Sequence, residues 1–475
     1  MQKKIAALMV GLALASSVAH AASNEDITKR YFASLVAGAE PKRAELTLFM
    51  TMLPKGGDLH HHYSGALYAE QYLDWVDKQG YCVDKASYQI ATHAPDGAAC
   101  VSGASVMHDN GMLAALLQRW SDKDFYNHGA LQSPPDRQFF DTFGYFGPVS
   151  ATNAHDGLER LKQRAIQENL GYIETIYQLS PMQQDDAFDK QAYAGLSDAQ
   201  MEAYLAKLDQ NADFKKGIAS YIGDLKEASA GIDDAQFSMR YQGFVLRFLS
   251  PSLVFSSMLS SFEMAMQSPQ IVGVNIVGQE SVAVSMHDYA MQMRMFKFLK
   301  SKYPQVNLAL HAGELALGTV PPEGLTFHIR DAVEVAGAKR IGHGIDIAHE
   351  TDALAIMKEM RDKDIAVEIN LTSNQFILGI EGQNHPVTLY RKYGVPFVIA
   401  TDDAGVSRNN LSEEYVLFAS RYKPDYAEVK KLSYNSVKYS FLSADDKKRM
   451  LKALDVKFAL FEGNIAKSEK SALNR

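Results

Sequence analysis

Eight short runs of β-branched and apolar residues recur along this chain, separated by longer amphipathic or polar stretches. They are GDLHHH, YIETIYQL, YQGFVLRFL, IVGVNIVG, VNLALHAGE, RIGHGIDI, IAVEINLTSN and FVIATDDAG. Segments between them, such as 281–303 and 350–364, read as helices. Eight strands alternating with helices predict an α/β fold, a (β/α)8 barrel of the TIM type. A doubly wound open sheet also alternates, but no G-x-G-x-x-G follows the first run. The gap between the first and second runs exceeds what one helix needs. A helical insertion is therefore expected over residues 67–165, inside a single domain spanning 22–475 and ending in C-terminal helices. The polar segment before the first run also reads as helical. It has two possible partners, its own barrel or a second subunit of a homodimer.

Polar residues fall at the C-terminal ends of these runs: His60 and His62, His311 and Glu314, His343, then Asp402 and Asp403. A TIM-type barrel builds its active site at that face, from several strand ends. One such residue alone would read as a satisfied core group; seven on four strand ends read as a site. His60, His61 and His62 are consecutive, and neighbours on a strand point to opposite faces. His60 and His62 are expected inward and His61 outward. With His311 and Asp402 they make three imidazoles and a carboxylate, a donor set suited to one zinc ion per chain.

The chain of 475 residues is 47% hydrophobic, ample for a large core. Lys3 and Lys4, the apolar run from Ile5 to Val18 and Ala19-His20-Ala21 predict a secretory signal over residues 1–21. The expected location is periplasmic or secreted. Losing both lysines moves the formal charge from −8 to −10. An acidic surface argues against nucleic acid or an anionic membrane as partner. The two cysteines, Cys82 and Cys100, are expected to pair in an oxidising compartment. No C-x-x-C occurs, which excludes the cytidine-deaminase type of zinc site.

PKGGDLHHH, LHAGE, RIGHG and TDDAG, in that order, resemble the adenosine deaminase family. The PKGG start and the signal peptide lean toward its secreted, growth-factor-related branch. The resemblance runs from Pro54 to the C-terminal helices and includes GVNIVGQE, FFDTFGYF and LSYNSVKYSFLSADDKKRML. It implies a zinc-containing (β/α)8 barrel acting on a small purine nucleoside. Residue by residue, it implies His60, His62, His311 and Asp402 as zinc ligands and Glu314 as the catalytic acid. It further implies His343 beside the attacking hydroxide, Asp403 facing purine N7 and Gly278 meeting purine N3. Phe139, Phe140 and Phe143 match an apolar lid, with a plain core stripe as the other reading.

Adenine C6 is a poor electrophile until N1 is protonated, so Glu314 must enter as the neutral acid. Asp403 must donate to N7 and so needs its own proton, while zinc keeps Asp402 ionised. The reaction implied is hydrolytic deamination of adenosine and 2′-deoxyadenosine. The chain departs from the family at the sugar, where Ser64 stands in place of an aspartate. Other readings are a deaminase of adenine, methylthioadenosine or AMP, a two-metal hydrolase, and a non-catalytic secreted nucleoside-binding or growth-factor-like protein. A phosphate site needs clustered cations, and only Arg408 and Lys55 lie near strand ends in the sequence. A two-metal site needs a bridging lysine on the fourth strand, which carries Asn275 instead.

Overall fold

The structure, a computed structural model, describes residues 23–92, 100–127 and 133–473. The expected signal over residues 1–21 lies outside the described residues. Each apolar run overlaps a strand: β1 (Lys55–His62), β2 (Leu170–Leu179), β3 (Ser238–Leu246), β4 (Ile271–Val277), β5 (Asn307–Ala312), β6 (Arg340–His343), β7 (Ala366–Ile369) and β8 (Phe397–Ile399). They pair in that order, all in parallel. Just past β8, Asp402 N–H donates to the His60 carbonyl (2.9 Å) and His62 N–H to the Asp402 carbonyl (3.2 Å). This parallel bridge brings β1 and β8 together into a barrel. The strands are buried on both faces, as crossover helices require.

The helix Ala154–Gln167 shows how the outer layer forms. Leu158, Leu161 and Ala165 recur every three or four residues and are buried, while Glu159 and Gln163 pair at the surface. The helices Asn24–Val36 and Arg43–Met52 pack on this chain's own C-terminal helices, with Phe49 edge-on to Phe461 at 5.0 Å. Lys55, at the start of β1, is buried and donates to the carbonyls of Met50, Leu53 and Glu168.

Between β1 and β2 lie the helices Ala69–Lys78, Gly103–His108, Asn110–Trp120 and Pro135–Ser150. A small antiparallel sheet of Cys82–Asp84, Ile90–Ala91 and Cys100–Val101 accompanies them. A Cys82–Cys100 disulfide, with Cα atoms 5.6 Å apart, ties its central strand to one edge. The helix Pro135–Ser150 lies over the barrel mouth. Gln279, just past β4, donates to Asp136 in its first turn (3.1 Å).

Candidate active site

β1 does not run in perfect register along β2. Asp58 faces Ile173 but His61 faces Thr175, so three steps on β1 match two on β2. Despite this bulge, His60 and His62 both turn to the barrel interior. His61 turns away, with Nδ1 3.0 Å from Thr175 Oγ1. The irregularity falls between Asp58 and His61, a stretch that includes His60, yet His60 and His62 still share the inward side.

Four side chains converge at the mouth. His60 Nε2 and His62 Nε2 each lie 3.3 Å from Asp402 Oδ1, and His62 Nε2 lies 3.3 Å from His311 Nε2. The outer nitrogens decide what these atoms offer. His60 Nδ1–H donates to Glu368 Oε2 at 2.7 Å, and Glu368 is held in turn by Arg340 at 2.5 Å. His311 Nδ1–H donates to Asn275 Oδ1 at 2.9 Å. Both rings therefore aim a lone pair inward, and buried His60 Nε2 has no hydrogen-bond partner. Inward lone pairs beside an ionised carboxylate fit a divalent cation. The potential ligand atoms of His60, His311, His343 and Asp402 lie within 4.8 Å of one another, so His343 is a second candidate ligand on distance alone.

Asp402 and His343 have φ of 62° and 66°, a region L side chains rarely adopt. Such strain costs about 1–3 kcal/mol and gathers at functional sites. Gly65 serves the same crowding: a Cβ there would sit 1.5 Å from Asp403 Oδ1.

Burial raises Glu314 well above the usual carboxylate range, and the charges of Asp402 and Glu280 push it further. Glu314 Oε1 lies 3.6 Å from His343 Nδ1. Burial and the neighbouring Asp402 likewise push Asp403 up, whereas the imidazoles around Asp402 overcome its burial and pull it well down. These surroundings favour the protonated form at Glu314 and Asp403 and the ionised form at Asp402.

The turn carrying Glu314 is clamped from below. Glu280 accepts from the N–H groups of Gly313 (3.2 Å) and Glu314 (2.9 Å) and from His328 Nδ1 (2.5 Å). It also pairs with Arg247 (3.2 Å), which donates to the His311 carbonyl at 2.8 Å. Burial works against its charge, but Arg247 and these donors hold it down to about 2.

His62, His311, Glu314, His343, Asp402 and Asp403 line one face of a cavity of about 460 Å³. Phe139, Phe140, Phe143, Phe244, Leu246 and Phe248 make much of the rest, with Gly278 and Ser64 at its edge. The three phenylalanines of Pro135–Ser150 both face the cavity and pack on one another, so lid and core stripe are one feature. Neither cation near the strand ends lines the cavity. Arg408 is paired with Glu70 at 2.9 Å, and Lys55 is buried at the opposite end of β1.

Sequence reading did not single out Glu280, Arg247, Glu368, Asn374 or His385. Polar residues inside or just after the apolar runs GVNIVGQE, YQGFVLRFL and IAVEINLTSN were the available signal for four of them. His385 lies outside every run.

The profile of the adenosine deaminase family matches residues 225–457, which hold His311, Glu314, His343, Asp402 and Asp403. The adenosine deaminase of Clostridium perfringens is 23% identical over 403 residues, covering 83% of this chain and 96% of that protein. Over these residues the chain is similar to the adenosine deaminase family. That family is metal-dependent, and the donor set described above is a candidate metal-binding group. Two solved structures share the family barrel. The N6-mAMP deaminase of arabidopsis has a TM-score of 0.56 at 17% identity, over 86% of this chain and 99% of that one. An amidohydrolase of Burkhoderia ambifaria with bound Zn has a TM-score of 0.52 at 15% identity, over 88% and 94%.

Proposed function

We propose that this chain hydrolyses the 6-amino group of adenosine, and of 2′-deoxyadenosine, to ammonia and the 6-oxo purine, with one zinc ion per chain. The observation that carries this reading is Glu314, a buried acid raised toward its neutral form and set beside three inward imidazoles and a carboxylate at the base of an apolar cavity. His60, His62, His311 and Asp402 would hold the zinc. When bound, zinc lowers the pKa of a coordinated water toward ~7. Glu314 gives its proton to N1, which drains electrons from C6; water adds at C6, and of its two protons one leaves with the amine as ammonia, delivered by the Glu314 carboxylate, and the other re-protonates Glu314. Protonated Asp403 donates to N7, and the Gly278 backbone lies at the cavity edge to meet N3. The phenylalanines sandwich the ring and exclude water.

Among the described residues no Lys or Arg lines the cavity, which favours a nucleoside over AMP. This bears on the comparison with the arabidopsis enzyme, whose name specifies a nucleotide substrate. The test is ammonia release by purified protein from adenosine, 2′-deoxyadenosine, AMP, adenine and methylthioadenosine. Adenosine should exceed AMP by at least about tenfold in kcat/KM, the worth of one lost phosphate contact of ~1.4 kcal/mol. Release from none of the five overturns the proposal.

We also propose export, which the disulfide supports because such bonds persist in oxidising compartments. Mature protein recovered from the periplasm should begin at or next to Ala22 and carry no free thiol. An intact N-terminus on cytoplasmic protein overturns this.

A further inference from the structure

His343 lies among the candidate ligands, yet the direction of its proton decides whether it can be one. The decisive hydrogen bond lies three groups away. The helix Val387–Tyr393 begins with an N–H that has no partner within the helix, as all helix starts do. Val387 N–H donates to His385 Nδ1 at 3.1 Å. A backbone amide can only donate, so His385 Nδ1 must be the acceptor. His385 is fully buried, and burial lowers its pKa to about 3, so the ring is neutral. Its single proton is then on Nε2, 3.1 Å from Asn374 Oδ1.

That bond orients the Asn374 amide. With Oδ1 accepting from His385, Nδ2 is turned to His343 Nδ1, 2.9 Å away, and must donate to it. Asn370 Nδ2 approaches the same nitrogen at 3.4 Å. His343 Nδ1 is therefore an acceptor and its proton lies on Nε2. This Nε2 is buried without a hydrogen-bond partner, 3.8 Å from Asp402 Oδ2 and open to the reaction centre.

We propose that Asn374 and His385 are positioning residues that lock His343 as its Nε2–H tautomer. His343 then presents a hydrogen-bond donor to the reaction centre and is barred from ligating the metal. The relay resolves the choice between His62 and His343 on tautomer rather than distance: a ligand needs a lone pair, and the chain Val387–His385–Asn374 removes it from His343 Nε2. The same donor is free to hold the oxygen that attacks C6, so the role rests on the proposed deamination while the tautomer itself does not.

The test is nitrogen NMR of zinc-loaded protein labelled at histidine, which reports which ring nitrogen is protonated. Wild-type His343 should be protonated on Nε2. Asn374→Asp places an acceptor-only carboxylate against Nδ1 and should move the proton there, with zinc content and fold retained. kcat should fall by about 10–100-fold, typical for a lost outer-shell partner, with KM within about twofold. A merely structural role would lower the melting temperature without moving the proton. His385 supplies a second arm. His385→Gln keeps an amide donor toward Asn374 and should preserve the Nε2–H form, whereas His385→Ala should leave both tautomers populated. Wild-type protein protonated on Nδ1, or an Asn374→Asp variant with the wild-type tautomer and rate, overturns the proposal. Protein that shows the Nε2–H form but deaminates no adenine compound supports the relay and overturns the proposed function alone.

Discussion

Asp402 and Asp403 are chain neighbours of equal burial whose surroundings favour opposite protonation. Burial pushes both carboxyls up, but Asp402 faces His60, His62 and His343 while Asp403 faces the charge of Asp402. Glu314 follows Asp403: burial and like charge raise it well above the usual carboxylate value, toward its neutral form. A neutral acid can be imitated in shape but not in function by an amide. Glu314→Gln should keep fold and metal and lose at least ~10² in kcat, as expected for a removed general acid. Near-normal turnover in single-turnover kinetics would place the N1 proton elsewhere. The three consecutive histidines should separate as sharply. His60→Ala and His62→Ala should each lose metal and activity. His61→Ala should keep both and cost about 1–3 kcal/mol, because it loses a buried contact with Thr175. Zinc content of the three variants, prepared identically, decides; loss confined to His61→Ala would reverse the assignment.

Strands carried most of what the sequence revealed. Each of the eight apolar runs overlaps a barrel strand, and the seven polar residues at their ends meet at one mouth, because a closed parallel sheet leaves them nowhere else to go. What stayed hidden was the layer beneath. Glu280 sits two residues after Gly278 in a quoted run, but its partners come from Arg247, His328 and the turn after β5. No local pattern announces such a meeting. The β1 bulge was equally silent, since register depends on the partner strand. Gly313 shows how tightly the turn is set: its φ is 71°, and a Cβ would lie 2.2 Å from Asp346 Oδ1. Glu280 accepts from three N–H groups and pairs with the Arg247 guanidinium, which suits a charged, acceptor-only side chain. Glu280→Gln puts an amide donor among those donors and should loosen the turn that aims Glu314. The expected result is a fall in kcat of about 10–100-fold, the usual cost of an outer-shell partner, with KM nearly unchanged. An equal rise in KM would show that Glu280 serves substrate binding instead.

At the scale of the whole molecule, the candidate metal site and the closure of the barrel are the same place. His60 and His62 come from β1, His311 from β5 and Asp402 from just past β8, and the backbone of Asp402 makes the bridge that joins the two ends of the sheet. An ion bound there would tie residues more than three hundred positions apart in sequence, and the unfolded chain offers no such cluster. Binding to the folded state alone stabilises it by about 4 kcal/mol at a thousandfold excess over Kd. Removing the metal leaves Asp402 and the inward imidazoles to be matched by protons instead: burial opposes the charge on His60, but Asp402 and Glu368 raise it to about 10. Metal-free protein should therefore remain folded on its large core but melt several degrees lower. Zinc should restore the transition with a stoichiometry of about one per chain, as three imidazoles and one carboxylate require. The measurement is calorimetric melting of chelated protein titrated with zinc, alongside metal analysis. Two equivalents at saturation, or a melting temperature indifferent to zinc, would break the link between the barrel's seam and its metal.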